Sequence, residues 1–286
     1  MEGSLNVHVV ILNWNRWELT LDCLRSLAAL DPAPGKIWVV DNGSTDGSVR
    51  HLRESGLAPN LLENPRNLGH AAGCNRAVLR ALEEDAGFVW LLNNDTAVEP
   101  GCLGALLRRA REDPAIGAVG SVLRHPGVSG RIQAWGGGRV GRWTGWARHV
   151  RGPGRRLDYL TGASVLIRSE ALRAVGLLDE GFFFFWDDTD LGFRLRRGGW
   201  RLAVAADAVV RHRESATIGP RTADRARLFA DGMVRFFRRH ARLPLLPATG
   251  GLVQQLARAV WHGSGRQWAG TWRGWFEGWR DPAGAP

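Results

Sequence analysis

Lysine is almost missing from this chain of 286 residues: Lys36 is the only one, and arginine carries the rest of a net charge of +10 and an isoelectric point near 11.1. An arginine surplus favours anionic partners, because the planar guanidinium grips phosphate oxygens two at a time; nucleotide diphosphates, phospholipid headgroups and nucleic acid all qualify. Cysteine is scarce as well. Cys23, Cys74 and Cys102 have no paired spacing, which argues against a zinc site or a disulfide framework and points to a reducing interior. No basic-then-apolar signal opens the chain, and no apolar run approaches the ~18 to 20 residues that span a bilayer. The expectation is therefore a cytoplasmic protein, or one peripheral on the inner face of the cell membrane. Two phosphate fingerprints are absent too: there is no GxGxxG after the first strand and no GxxxxGK(S/T), so neither dinucleotide binding nor P-loop hydrolysis gains support.

What is present is an alternation of apolar runs and helical spacings. Val7 to Leu12 ends in Asn13-Trp14-Asn15-Arg16 and is followed by Leu21, Leu24, Leu27 and Ala28 at helical spacing. Ile37 to Val40 runs into Asp41-Asn42-Gly43-Ser44, and Leu61-Leu62 leads through Asn67-Leu68-Gly69 into a helix bearing Ala72, Asn75, Ala77 and Val78. Phe88 to Leu92 stops abruptly at Asn93-Asn94-Asp95. This rhythm predicts a Rossmann-like, mostly parallel sheet flanked by helices, in which ligands bind beyond the carboxyl ends of the strands. The polar clusters sit at those ends. Asp41 can accept from a pyrimidine ring N–H, with Asn13, Asn15 and Asn67 offering amide donors and acceptors, and Asp95 is a candidate metal ligand. Asp41 and Asn67 also have a plainer reading as turn residues, and Asn93 to Asp95 as a turn capping the helix that starts near Glu99 and Pro100.

The second half is less regular. Gly117 to Leu123 reads as a strand, Arg131 to Val150 as a strand-loop excursion, and Tyr159 to Arg168 as a strand whose Gly162 and Ala163 let a ligand approach the backbone. Phe182 to Trp186 then meets Asp187, Asp188 and Asp190 at a helix start, where the dipole should keep carboxylates ionised and at least one should only hold the helix end. Trp200 to Val204 and Ala208 to Val210 read as two short strands, ending near His212.

Taken together, Leu12-Asn13-Trp14-Asn15, Val40-Asp41-Asn42-Gly43-Ser44, Asn67-Leu68-Gly69, Asn93-Asn94-Asp95, and Trp186-Asp187-Asp188 followed by His212 resemble family 2 glycosyltransferases of the GT-A fold, most closely the rhamnosyltransferase-like members. The resemblance spans roughly Val7 to Ser215. It implies an α/β GT-A fold, with a catalytic domain over 1–218 (nucleotide-binding half 1–115, acceptor-binding half 116–218) and a helical C-terminal extension over 219–286. It implies a metal-dependent inverting transfer from a nucleotide diphosphate sugar to a cell-envelope glycan or lipid-linked acceptor. In that scheme Asp41 recognises the base, Asp95 is the metal-binding end of a DxD-like motif, His212 joins the metal or pyrophosphate site, and Asp188 is the general base. Leu12, Asn13, Trp14, Asn15, Asn42, Gly43, Asn67, Gly69, Asn75, Asn93 and Asn94 fall on the nucleotide-sugar side, and Gly162, Ala163, Trp186 and Asp187 on the acceptor side. Asn93 replaces the first Asp of the motif, but one carboxylate, diphosphate oxygens and waters can hold Mg²⁺ or Mn²⁺.

Towards the C-terminus, Ala223 to His240 reads as an amphipathic helix. Beyond it, Trp268, Trp272, Trp275, Phe276 and Trp279 share a helical face beside Arg266, Arg273 and Arg280, with Gly270, Gly274 and Gly278 on another. An aromatic face with arginines suits an anionic membrane surface, and the glycines, at about 1 kcal/mol each, suggest folding that awaits one; docking on the protein's own body is the alternative. Two other functions compete. A nucleotidyltransferase lacks its Gly-rich, lysine-bearing loop here, and a nucleic-acid binder would need arginines and aromatics arranged in a recognisable motif, so nucleic acid is not an expected partner.

Overall fold

The computed structural model describes residues 6–127, 130–213 and 222–280; the boundary expected at 218/219, and Ser215 with it, lies outside them. The chain runs β1 (Val7–Asn13), α1 (Trp17–Ala28), β2 (Lys36–Asp41), α2 (Ser48–Glu54), β3 (Asn60–Glu63), α3 (His70–Glu83), β4 (Phe88–Asn93), β5 (Thr96–Val98), α4 (Cys102–Arg111) and β6 (Ile116–Arg124). It continues through β7 (Ile132–Trp135), β8 (Gly137–Val140), β9 (Ala147–His149), β10 (Tyr159–Leu160), β11 (Ser164–Arg168), α5 (Ser169–Val175), α6 (Asp187–Arg197) and β12 (Arg201–His212). Three helices close it: α7 (Ala223–His240), α8 (Leu245–Trp261) and α9 (Gly265–Arg280).

The main sheet has the order β3-β2-β1-β4-β11-β6-β12-β5, with β7 on β6. β1 to β4 pair in parallel, and their register levels the carboxyl ends, Asn13 opposite Asp41 and Leu12 opposite Asn93. β4 is apolar on both faces because both are covered: Trp90 and Leu92 pack on one side, Val89 and Leu91 on the other. β11 then enters antiparallel between β4 and β6, so the turn before it reaches over the end of β4, and Asn93 N–H donates to Ala163 O at 3.0 Å. β12 pairs antiparallel with β5, His212 opposite Thr96, which carries His212 to Asp95.

Three local expectations change. Tyr159 to Arg168 is two strands in two sheets, broken at Thr161 to Ala163 so that those residues line a turn. Trp200 to Val210 lies largely in one strand, β12, with an irregularity between Ala205 and Val209. Arg131 to Val150 supplies β7 to the main sheet and β8 and β9 to a small second one.

The C-terminal glycines are packed, not waiting. Gly270, Gly274 and Gly278 are buried, and a Cβ on the first two would fall on the Ala223 and Arg227 carbonyls of α7. The helix propensity lost at these positions, about 1 kcal/mol each, is offset by the close backbone approach that only glycine permits. Trp275 and Trp279 pack against a third core, formed by Trp186, Phe193, Phe236 and Phe237 among others.

Candidate active site

A cleft of about 910 Å³ opens beyond the strand ends, and both halves of the chain line it. On the side of β1, β2 and β4 the wall is Leu12, Trp14, Asn42, Asn67, Gly69, Asn93 and Asn94. Behind this wall the polar groups hold each other. Asp41 is 1% exposed; its Oδ2 accepts from Asn13 Nδ2 at 2.8 Å and its Oδ1 from Ser44 N–H at 2.9 Å. Thr20 Oγ1 donates to Asn13 Oδ1 and accepts from Asn94 Nδ2, tying β1 to the end of β4. Asn42 is saturated: its amide donates to Asn67 Oδ1 and Gly69 O while its oxygen accepts from Asn64 Nδ2 and Leu68 N–H. Gly43 (φ +73°) has no room for a side chain against the Arg66 backbone, and Gly69 (φ +89°) sits against Phe183 O.

The structure therefore separates the nucleotide-side candidates into two sets. Asn13, Asn15, Asp41 and Gly43 brace the wall from behind, and the carboxylate expected to meet a base faces Asn13 and Ser44 instead of the cleft. Asn15, at φ +50°, accepts from Thr45 N–H. Asn75 is not brought to the cleft at all; its amide is spent on Leu178 O, Glu180 Oε1 and Leu178 N–H, pinning the segment after α5.

Asp95 and His212 meet at the cleft, with His212 Nε2 3.2 Å from Asp95 Oδ1. That oxygen is buried and, among the described residues, has no hydrogen-bond partner, a costly state for a carboxylate. On its far side the imidazole meets Gln133 Oε1 through Nδ1 at 2.9 Å; a ring that donates there presents a lone pair at Nε2. An unsatisfied carboxylate oxygen and an imidazole nitrogen converging on a cleft fit a divalent cation. Among the described residues they are not joined by a third His, Cys, Asp or Glu, so the remaining ligands would be donor oxygens and water.

The opposite wall is built differently. Phe185 and Trp186 both adopt left-handed backbone, φ +68° and +69°, at a cost of order 1–3 kcal/mol each. An aromatic cluster holds them there: the Trp186 ring lies 5.0 Å from Phe236 and 5.4 Å from Phe229 of α7, where Gly232 leaves space for the turn. The twist aims the first residues of α6 at the cleft. Asp188 Oδ2 accepts from Gly162 N–H at 2.9 Å, and Thr189 Oγ1 donates to Asp188 Oδ1 at 3.1 Å. Burial, then the neighbouring charge of Asp187, raises the Asp188 carboxyl to about 6 against these donors. The helix dipole thus fails to keep this carboxylate in the ordinary range. Asp190, which shares the helix start, is no cap: fully buried, it pairs with Arg194 Nε and His240 Nε2, both at 2.7 Å, clamping α6 to α7.

His70 was not legible in the sequence. Its Nδ1 lies 2.6 Å from Asp187 Oδ2; burial works against a charge there, but the Cys74 sulfur and the Asp187 carboxylate outweigh it and raise the imidazole well above its ordinary value. Only its position after Gly69, at a strand-end loop, could have drawn notice. Tyr159, beside Asp188, and Arg225, Arg227 and Arg258 also line the cleft, the arginines arriving from helices whose placement no local pattern gives.

The model of glycosyl transferase family 2 matches residues 8–176. An N-acetylglucosaminyl-diphospho-decaprenol L-rhamnosyltransferase of Mycobacterium tuberculosis is 31% identical over 221 residues, covering 68% of this chain and 72% of that protein. Among solved structures, GalNAc-T7 with UDP, GalNAc and Mn²⁺ superposes with a TM-score of 0.66 at 16% identity, over 85% of this chain and 49% of that longer one. A mannosyltransferase from Pyrobaculum calidifontis, in complex with GDP-mannose and Mn²⁺, gives 0.60 at 19% identity, over 96% and 85%. These likenesses carry the GT-A fold.

Proposed function

The chain belongs to glycosyl transferase family 2, and from that premise we propose that it moves a sugar, rhamnose first, from a nucleoside diphosphate donor to a lipid-linked glycan acceptor of the cell envelope, with inversion. The observation that carries this is the shared cleft: Asp95 and Asp188, distant in sequence, both open into it. Asp188 accepts the proton of an acceptor hydroxyl as that oxygen bonds to the anomeric carbon and the bond to the diphosphate breaks. A carboxylate near 6 is mostly ionised at neutral pH yet basic enough to take the proton, a contribution of ~10² to 10⁴ in rate. Gly162 N–H fixes the carboxylate, and the aromatic turn fixes the helix that bears it.

Asp95 and His212 are the residues that would hold Mg²⁺ or Mn²⁺, whose charge would stabilise the departing diphosphate. Arg225, Arg227 and Arg258 add fixed positive charge to the same cleft. Leu12, Trp14, Asn42, Asn67 and Asn93 form the wall against which the nucleotide rests, kept in place by Asn13 and Asp41 from behind. A lipid-linked acceptor supports the reading of a cytoplasmic enzyme peripheral on the inner face of the membrane.

The test is direct: the full chain with Mn²⁺, a panel of nucleotide sugars including thymidine diphosphate rhamnose, and an N-acetylglucosaminyl-diphospho-polyprenol acceptor. Rhamnosylated lipid of inverted anomeric configuration is expected. Indifference to every donor, in both turnover and thermal shift, would overturn the reading.

A further inference from the structure

Among the described residues, the outer face of α8 has no partner. The helix packs inward through Ala248, Gly251, Leu252 and Ala259, with Gly250 against the Thr144 backbone and Gln254 Nε2 donating to Thr144 O at 2.7 Å. The opposite side carries Leu246, Val253, Ala257, Val260 and Trp261, spaced to form one stripe, and Val260 and Trp261 are 70% and 88% exposed. Arg258, the sole charged residue of α8, lies to one side of the stripe and lines the catalytic cleft, so the face and the cleft mouth adjoin.

The charge around this face specifies its occupant. Between Asp231 and Glu277 the chain has seven arginines and no carboxylate. Arg242 precedes α8, His262 and Arg266 follow it, and all three are exposed. An uncharged aliphatic stripe ended by tryptophan, with only cations beside it along the chain, matches the boundary between acyl chains and anionic headgroups. No helix among the described residues is long and apolar enough to cross a membrane, so the contact is a lying one. The tryptophan face of α9, the sequence-based candidate, is disfavoured because Trp275 and Trp279 are already packed against the third core.

We infer that α8 lies in the interface of an anionic phospholipid membrane, seated on its Leu246–Val253–Val260–Trp261 stripe, with the cleft opening beside the headgroups. This deepens the reading of a lipid-linked acceptor by naming the surface that meets the lipid. It rests on that reading only for its purpose, because vesicle binding is measured with no sugar present.

The experiment is co-sedimentation of the full chain with phosphatidylcholine vesicles, with and without about 30% phosphatidylglycerol. Wild type should bind the anionic vesicles, and the double variant V253E/V260E should bind at least about tenfold more weakly. Its melting temperature and Mn²⁺-dependent nucleotide binding should be unchanged, since both side chains are on the outside. Trp268→Glu, on α9, should bind within about twofold of wild type. Equal binding by V253E/V260E, or no wild-type binding to anionic vesicles at low salt, overturns the inference. So does a wild-type dimer in light scattering that V253E/V260E dissolves, which would assign the face to a second copy. Loss of transfer with vesicle binding intact would refute the proposed activity and leave the membrane face standing.

Discussion

The two walls of the cleft solve opposite problems. The wall at the ends of β1, β2 and β4 is polar and, Asp95 apart, closed on itself: Asn13 donates to Asp41, and Asn42 is saturated by Asn64, Asn67, Leu68 and Gly69. The wall at the start of α6 is aromatic and strained, and it holds a carboxylate away from its ordinary range. The first arrangement suits a surface that receives a ligand without changing. The second suits a group that must change protonation state during turnover. Rigidity and reactivity are thus assigned to different parts of the chain and meet only across the cleft.

The sharpest way to break this contrast is Asp188→Asn. Transfer should fall by ~10² to 10⁴ in kcat while donor affinity stays within about twofold, because Asn keeps the Gly162 contact and gives up the basicity and the bond accepted from Thr189. A variant that weakens donor binding as much as turnover would show that the strained wall also receives the nucleotide. Asp95→Ala should do the reverse in kind and be smaller in size. Nucleoside diphosphate binding in Mn²⁺ should weaken by ~10- to 100-fold, and binding in chelator should be unchanged. Titration calorimetry with and without the metal decides it, and equal affinities in Mn²⁺ would move the cation elsewhere.

The same contrast explains what the sequence could reveal. Strand-end polar residues are contiguous with the apolar runs that announce their strands, so Asn93-Asn94-Asp95 and Asp41-Asn42 stood out by position, and the parallel register levelled them. Which of them line the cleft did not stand out. Asp41 and Asn75 are turned away by hydrogen bonds to Asn13, Ser44 and Leu178, which are long-range facts of packing. On the other wall, Asp188 carried its own motif, but its shifted acidity depends on burial and its aim on α7. His70 and Asp187 are 117 residues apart, and nothing local links them. Glycine misled in α9 because helix propensity was visible while the neighbouring helix was not.

His70 gives a finer probe of the reactive wall. Its raised basicity favours the imidazolium form, facing Asp187 at 2.6 Å and relieving the repulsion that Asp187 exerts on Asp188. Cys74 on its own helix, the edge of Phe184, and the two α6 carboxylates are the groups around it. His70→Asn should therefore raise the acid limb of the kcat/KM profile by about one pH unit, with activity at pH 8 reduced little. An unmoved limb would mean that His70 only fills space.

The smallest effect concerns stability, and its sign is opposite to that on activity. Folding raises the Asp188 carboxyl from its ordinary 3.8 to about 6, so the protonated form is the one the fold favours. The contribution to stability is then fully present below pH 4 and is lost as pH rises through 6. At pH 8 the native protein carries an ionised group in a site that disfavours it. Asp188→Asn removes that charge and keeps the shape, so it should stabilise the fold by about 1–3 kcal/mol at pH 8, a rise of a few degrees in Tm. At pH 4 the two proteins should melt together. A variant less stable than wild type at pH 8 would mean that the carboxylate's bonds to Gly162 and Thr189 outweigh the cost of its burial, and the wall would then be rigid in the same sense as the one opposite.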